Sequence, residues 1–219
     1  MPTLMEQSEK VYLNIASSTC MLEGFVNLDN HVLLTFLKLP QIFRKLIPAK
    51  YTDTVNNYEI LISKHLFMRH DCRSPLPFRD NTVDHILCSH FLEHVYSTEA
   101  DKIISDFRRV LKPKGTLHIV LPDLLAMANK YVNSASTENP TAADKFIIET
   151  LLRRPSQSTL KYRLLEFLGG YGLDHKWMYD KYSITQKVAK LGFILMDRND
   201  TPSKSFRDDD DSIHLVAKK

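Results

Sequence analysis

Two segments of this sequence carry the side chains best suited to proton transfer. His90, Glu93 and His94 follow an apolar run, and Asp174 and His175 lie about 80 residues further on. Histidine titrates near neutral pH, so it can accept or donate a proton during a reaction. We expect His175, Asp174 and His94 to be the catalytic candidates. The alternative is that Glu93 and His94 only brace the loop that holds them.

The segment around Asp174 and His175 has features that favour a role beside a pocket. Gly169, Gly170 and Gly172 precede His175, and their conformational freedom would let this part of the chain move over a bound ligand. Trp177 follows, either as a platform for a substrate or as a core residue, and the core role is the commoner one for a large aromatic ring.

Small and polar residues follow several apolar runs directly, where a ligand could bind. In an open parallel sheet, ligands lie beyond the carboxyl ends of the strands. The Asp29 carboxylate could accept both hydroxyls of a ribose, and Asp71 could accept an adenine amino group, with Cys72 beside the ring. Each residue could instead cap a helix or form a turn. The candidate binding residues are Ala16, Ser17, Ser18, Asp29, Asn30, Asp71, Cys72, Ser89 and His90.

The elements that must position these residues alternate along the chain. Short apolar runs are separated by helical patterns, which favours an α/β fold with a mostly parallel sheet covered by helices. The predicted strands are Val11–Ile15, Phe25–Leu28, Leu66–Met68, Val83–Cys88, Thr116–Leu121, Phe193–Met196 and Ile213–Ala217.

The clearest helical periodicity covers Glu99–Leu111, where apolar residues recur at spacings of three and four. Ser97 or Thr98 would cap this helix. Ser183 and Gln186 have the spacing of a capping box for a helix that ends at Gly192. The stretch TDTVNNY reads as a polar link between two apolar segments.

Length and composition limit the possible classes of protein. A chain of 219 residues forms one domain, here with helical insertions at about residues 31–64 and 124–182. A net charge of +3 without a basic stripe gives no reason to expect nucleic acid as a partner. Three cysteines without CxxC spacing suggest neither zinc nor disulfides, so we predict no metal. The N-terminus lacks an apolar leader, and we expect a cytoplasmic protein.

Two charged stretches have alternative interpretations. Basic residues lie among apolar ones between His31 and Lys50. This pattern allows peripheral contact with an anionic membrane, but it more often marks helices packed on a sheet. Here it predicts two short helices, because Pro40 interrupts the stretch. The acidic loop RDDDDS is most simply a solvated turn, and metal binding is the less favoured alternative because its carboxylates have no histidine or spaced partner. The sequence leaves the oligomeric state open.

The central motifs resemble those of class I methyltransferases. Asp71, LPFRDNTVDHI, SHFLEHV, RRVLKPKG and TLHIVLPD occur in the order that this family shows, where LPF-x-D-x-(S/T)-(F/V)-D precedes LEH and RVLKPGG. The segments YLNIASSTCMLEGFVNLDN and DHKWMYDKYSITQKVAKLGF are similar to a methyltransferase type 11-like subgroup with a shortened first loop.

This resemblance implies a fold and a reaction. It implies a Rossmann-like three-layer sandwich with a mostly parallel seven-stranded sheet and an antiparallel last strand. It also implies that S-adenosyl-L-methionine binds at the ends of the first four strands and that its methyl group passes to a nucleophile in one in-line displacement. The expected acceptor is a small molecule or a glycan.

One departure from the family keeps a second hypothesis open. Where the family has G-x-G, this chain has Ala16, Ser17 and Ser18, and glycine there would allow unusual backbone angles and close approach to the cofactor. The chain is therefore either an active methyltransferase or a degenerate methyltransferase fold that serves as a binding or regulatory module. A nicotinamide-dependent oxidoreductase is disfavoured, since no GxGxxG follows the first strand.

Overall fold

A seven-stranded sheet runs through the computed structural model, which describes residues 10–38, 49–152, 174–202 and 212–219. Six strands agree with the predicted apolar runs to within one residue, whereas β5 begins at Leu111, five residues before its predicted start. The strands are β1 Tyr12–Ile15, β2 Val26–Asp29, β3 Phe67–Arg69, β4 Val83–Ser89, β5 Leu111–Pro122, β6 Ile194–Met196 and β7 Ser212–Lys218.

The order of the strands across the sheet is β3-β2-β1-β4-β5-β7-β6. The first five strands pair in parallel, whereas β7 runs antiparallel to both of its neighbours, β5 and β6. This arrangement confirms the predicted mostly parallel architecture with an antiparallel last strand. The order reverses between β1 and β4, so the loops after these two strands diverge and leave a crevice between them.

Both faces of the central strands are buried, as a parallel sheet requires. Ile86 and Cys88 of β4 belong to the large core cluster, whereas Leu87 between them packs with Phe25 and Val120 in a separate cluster. Successive side chains of a strand point to opposite faces, so these two clusters lie on opposite sides of the sheet.

Five α-helices connect the strands within the described residues. They are α1 Ala49–Lys64, α2 Ser97–Val110, α3 Leu124–Ala135, α4 Ala142–Thr150 and α5 Lys181–Lys190, with 3₁₀ helices at Val32–Lys38, Leu92–His94 and Arg198–Asp200. The apolar face of α2 is fully buried, and this explains its strong periodicity in the sequence.

The prediction of a polar link at TDTVNNY was wrong, because this segment lies wholly inside helix α1. The segment lacks a regular apolar stripe, and Val55 and Tyr58 are the members of TDTVNNY that are buried. Both pack against the residues of the preceding 3₁₀ helix, so tertiary contacts rather than local periodicity stabilise this helix.

The predicted helix caps were also wrong. Glu99 accepts the backbone N–H of Tyr96 at 2.9 Å, so α2 begins with Tyr96 as its cap rather than with Ser97 or Thr98. In α5, the Asp180 carboxylate accepts the N–H of Ser183 at 2.7 Å. Ser183 therefore occupies the third position of the helix. Asp180, three residues earlier, caps it because a carboxylate is a stronger hydrogen-bond acceptor than a hydroxyl.

Trp177 was expected to be either a substrate platform or a core residue, and its exposed fraction of 47% contradicts the favoured core role. Three other predictions fall partly or wholly outside the described residues: the second short helix before Ile47, the glycines at 169, 170 and 172, and the acidic loop before β7. Among the described helices, none combines the length and apolar character needed to cross a membrane.

Candidate functional site

The start of the loop after β1 has the backbone shape of a glycine loop although Ala16, Ser17 and Ser18 stand there in place of glycine. Ala16 and Ser18 have φ angles of 51° and 47°, in the left-handed region that glycine enters most readily. The N–H of Ser17 donates to the carbonyl of Leu28 at 2.9 Å, which ties the loop to the end of β2. The surrounding hydrogen bonds therefore hold two strained residues in this geometry.

Ser17 carries a buried hydroxyl that lacks a partner. The residue is 5% exposed, and its Oγ makes no hydrogen bond to any residue that the structure describes. A buried hydroxyl without a partner is unfavourable, so it marks a position where a ligand could supply one.

Asp29 ends β2 as predicted, and its carboxylate braces the neighbouring loops. Oδ2 accepts the N–H of Ser18 at 2.7 Å, and Oδ1 accepts the N–H of His31 at 2.5 Å. Burial raises the pKa of the Asp29 carboxyl, and these backbone hydrogen bonds oppose the rise. A carboxylate has about four acceptor positions, so two remain for a ribose.

Tyr58 reaches this loop from α1 and was missed in the sequence. Its hydroxyl lies 3.4 Å from Ser18 Oγ, and its ring stacks on His31 with 5.8 Å between the ring centroids. Burial and the charge of Asp29 raise the pKa of the Tyr58 phenol, whereas burial lowers the pKa of His31. Both rings are therefore uncharged near neutral pH. No local pattern marked Tyr58, because it lay in the supposed polar link.

The residues predicted on the adenine side lie after β3. Asp71 and Arg73 form a two-pronged ion pair, with Arg73 Nε 2.9 Å from Oδ1. Burial raises the pKa of Asp71, but the stronger combined effect of Arg73 holds it below its usual range. Cys72 is buried near the Ala16 backbone, and burial raises the pKa of its thiol to about 12.

Asn30 lies at the outer side of this group. Its Oδ1 accepts a hydrogen bond from Arg69 Nε at 3.0 Å. Ala16, Ser17, Ser18, Asp29 and Cys72 are thus brought together, and Asn30 and Asp71 flank them with arginine partners. Cys72 and Arg73 also line a groove of about 530 Å³ between the loop after β3 and α2.

The end of β4 turns sharply at His90. Its φ angle is 51°, and its N–H donates to the carbonyl of Val120 at 2.9 Å. His90 Nδ1 lies 3.3 Å from Glu93 Oε1. Ser89 and His90 are thus placed beside the turn that contains Glu93 and His94.

This turn meets the segment from residue 174 onward, which comes from far along the chain. The Glu93 carbonyl accepts the N–H groups of Lys176 and Trp177 at 2.7 and 3.1 Å, and His94 Nδ1 lies 3.2 Å from the Asp174 carbonyl. These contacts bring His175 against His94, with ring centroids 5.0 Å apart.

Two of the three predicted catalytic residues are therefore neighbours. His94 and His175 share one cluster with Glu93, whereas Asp174 is an exposed residue that contributes its carbonyl oxygen to the contact with His94. Burial lowers the pKa of His175, the Glu93 carboxylate opposes this effect, and His94 adds to it.

Sequence comparison identifies a methyltransferase segment in the middle of the chain. Residues 50–119 match the family model described as a methyltransferase domain. This range contains Asp71, Cys72, Ser89, His90 and His94, whereas the loop after β1 lies before it. An uncharacterized protein of Methanocaldococcus jannaschii is 48% identical over 46 residues, and the match spans 21% of this chain and only 19% of that relative.

Solved structures share the fold across nearly the whole chain. A protein of Pyrococcus horikoshii has a TM-score of 0.51 and 15% identity, covering 97% of this chain and 82% of its own. A SAM-dependent methyltransferase of Methanosarcina mazei has a TM-score of 0.51 and 16% identity, with coverage of 98% and 94%. Residues 50–119 are therefore similar to a methyltransferase domain, and the seven-stranded sheet has the fold of these solved structures.

Proposed function

We propose that this chain binds S-adenosyl-L-methionine and transfers its methyl group to a small-molecule or glycan-type acceptor. The loop after β1 carries this proposal. Ala16 and Ser18 keep left-handed backbone angles without glycine, and the buried Ser17 hydroxyl between them lacks a partner among the described residues. A strained loop with an unsatisfied polar group is typical of a ligand site.

The cofactor-binding residues are assigned by their place at the sheet edge. Ala16, Ser17 and Ser18 would hold the methionine part of the cofactor, and Ser89 with His90 would close the site after β4. The ribose would bind Asp29 with Asn30, and the adenine would lie by Asp71 with Cys72. The bound cofactor supplies the reactive methyl group, so these residues only have to bind and orient it.

We propose that the methyl acceptor binds beside His90, at the cluster of Glu93, His94 and His175. His94 and His175 are the candidate proton acceptors there, and Asp174 positions His94 through its carbonyl. We place the acceptor determinants in residues 124–182, a stretch that includes α3 and α4. No nucleic acid is proposed as a partner.

Cofactor binding is tested most directly through Ser17. Isothermal titration with S-adenosylmethionine and S-adenosylhomocysteine should show binding by the wild-type chain. The S17A variant should bind roughly fivefold more weakly, because the lost hydrogen bond is worth about 1 kcal/mol. Its stability should not fall, since the deleted hydroxyl has no described partner.

The matched control is S136A, which removes an exposed hydroxyl that donates to the Asn133 carbonyl, away from the loop after β1. This variant should bind the cofactor like the wild type. Absence of both heat and thermal shift at millimolar concentrations of either compound would overturn the proposal.

The second candidate function is that of a degenerate binding module. The observation that favours it is the arrangement at Asp29, where both carboxylate oxygens already accept loop N–H groups and the stacked rings of His31 and Tyr58 lie beside the loop. Under this hypothesis, neither cofactor compound binds and the fold is stable without them. The same titration therefore separates the two candidates.

A further inference from the structure

We propose that Glu93, His94 and His175 form a binding site for one divalent transition-metal ion of the Zn²⁺ class. The site lies beside His90 at the end of β4, and the proposal does not depend on cofactor binding. It revises the prediction of a metal-free protein, which rested on the absence of cysteine motifs. Histidine and glutamate from two distant segments supply this site instead.

The three side chains converge closely enough to share an ion. One potential ligand atom from each residue lies within 4.8 Å of the other two. Around a tetrahedral Zn²⁺ with bonds of about 2.0–2.1 Å, ligand atoms lie roughly 3.4 Å apart. Side-chain rotations that move each atom inward by about 1 Å would complete the coordination, without any change in the backbone.

Glu93 provides an independent sign that a cation belongs here. Its side chain is 1% exposed, and within the described part of the chain neither carboxylate oxygen accepts a hydrogen bond of good geometry. The nearest basic nitrogen, His90 Nδ1, is 3.3 Å away, and His90 Nε2 is itself buried without a described partner. A buried carboxylate is unfavourable unless a cation or strong donors compensate it.

The contacts around the histidines resemble the supporting shell of a metal site. His94 Nδ1 lies 3.2 Å from the Asp174 carbonyl, and donation of its proton there leaves the Nε2 lone pair for an ion. His175 Nδ1 lies 3.2 Å from Met178 Sδ, and the His175 N–H donates to the Leu151 carbonyl at 2.9 Å. The two side-chain contacts orient the rings, and the bond from the backbone N–H of His175 holds its main chain in place.

The donor set selects the kind of ion. Two imidazoles and one carboxylate suit Zn²⁺ and other first-row divalent ions, whereas Ca²⁺ and Mg²⁺ prefer oxygen ligands. Three protein ligands leave at least one position for water or an acceptor oxygen. A bound ion would take the imidazole lone pairs, so His94 and His175 would then hold the ion rather than act as free bases.

The test is a Zn²⁺ titration of the chelator-treated 219-residue chain without cofactor, followed by calorimetry or a competing indicator dye. One equivalent should bind, and E93Q and H175N should each bind at least about a hundredfold more weakly, since even the loss of a supporting contact lowers metal affinity by 10- to 100-fold. Mg²⁺ in the same assay should bind far more weakly.

The control must address a second histidine pair. His118 Nε2 lies 3.2 Å from His214 Nδ1 on neighbouring strands, and two histidines can bind Zn²⁺ weakly. H214Q should retain the wild-type stoichiometry and affinity. Loss of binding in H214Q with retention in E93Q would assign the ion to the other pair and overturn the proposal.

The E93Q variant should fold, because it removes an uncompensated buried charge, and circular dichroism checks this. If it does not fold, the H175N titration and anomalous scattering from Zn²⁺-soaked wild-type crystals decide the matter. Absence of saturable binding by the wild type, or of a peak at Glu93, contradicts the site. Cofactor titrations leave this result unaffected, so the two proposals can fail separately.

Discussion

Asn27 of β2 links β1, the loop between β1 and β2, and the residue before β3 through one buried side chain. Its Oδ1 accepts the Asn14 side chain at 2.9 Å and the Leu22 N–H at 2.8 Å. Its Nδ2 lies 3.0–3.1 Å from the carbonyls of Leu22, Phe25 and Leu66. Asn27 is fully buried, so its own amide group has no alternative partner in water.

We expect N27A to lower the free energy of unfolding by about 3 kcal/mol, because it leaves several buried polar groups without partners at once. Urea denaturation followed by circular dichroism measures this. The control N133A removes an exposed side chain from α3 and should change stability by less than about 0.5 kcal/mol. A similar small effect for N27A would show that the hydrogen-bond network is not important for stability.

The strained loop after β1 gives a second prediction for a single residue. A16G should raise the free energy of unfolding by about 0.5–1 kcal/mol, since glycine relieves the left-handed strain at φ 51°. The control A128G places glycine inside α3 and should lower it by about 1 kcal/mol. Thermal denaturation of both variants checks the opposite signs, and destabilisation by A16G would mean that the angle carries no strain.

At the scale of elements, Arg109 of α2 clamps the loop before β4. Its guanidinium donates to the carbonyls of Leu76 and Phe78 at 3.0 and 2.9 Å. It also pairs with Asp106 at 2.7 Å and Asp80 at 2.9 Å. The motif LPFRD, which carries much of the family resemblance, therefore serves to anchor a loop on a helix.

R109A should lower the free energy of unfolding by about 2 kcal/mol, because two loop carbonyls and two carboxylates lose their donor together. R109K should recover only part of this, since an ammonium group cannot reproduce the guanidinium fork. K102A, on the exposed face of the same helix, is the control. Equal stability of R109K and wild type would show that charge alone is sufficient.

At the scale of the whole molecule, His85 couples stability to pH. It lies fully buried in β4, with Nδ1 2.7 Å from Thr116 Oγ1, and its ring meets those of Tyr12 and Phe25 edge to face. Burial lowers the pKa of His85 to about 4. The folded protein therefore keeps this imidazole neutral at a pH where the unfolded chain is already protonated.

The sign of the effect follows from that difference. Above the unfolded pKa of about 6.5, both states are neutral and the full stability is present. As the pH falls towards 4, only the unfolded state gains the proton, so stability falls by up to about 3 kcal/mol from this group. Urea denaturation at pH 7.5 and pH 4.5 should show a smaller difference for H85F than for the wild type. An unchanged difference would mean that other groups cause the pH dependence.

The sequence was most informative where burial is continuous. All seven strands were predicted because their apolar runs are short and most are followed within two residues by Asp or Ser, and α2 because one face is entirely apolar. Helix α1 was missed since its buried residues, Val55 and Tyr58, contact a neighbouring 3₁₀ helix rather than form a long stripe. The N-terminal caps were predicted wrongly because several polar residues near the start of each helix could serve as the cap.

Local periodicity and the order of the motifs were enough to predict the sheet, its polar carboxyl edge and the resemblance to methyltransferases. The contacts of the polar residues became known from the folded structure. It showed that Asp29 braces its own loop, that Tyr58 reaches Ser18, and that Glu93 lies buried beside His94 and His175. Long-range packing brings such residues together across 80 positions, and no local pattern encodes that distance.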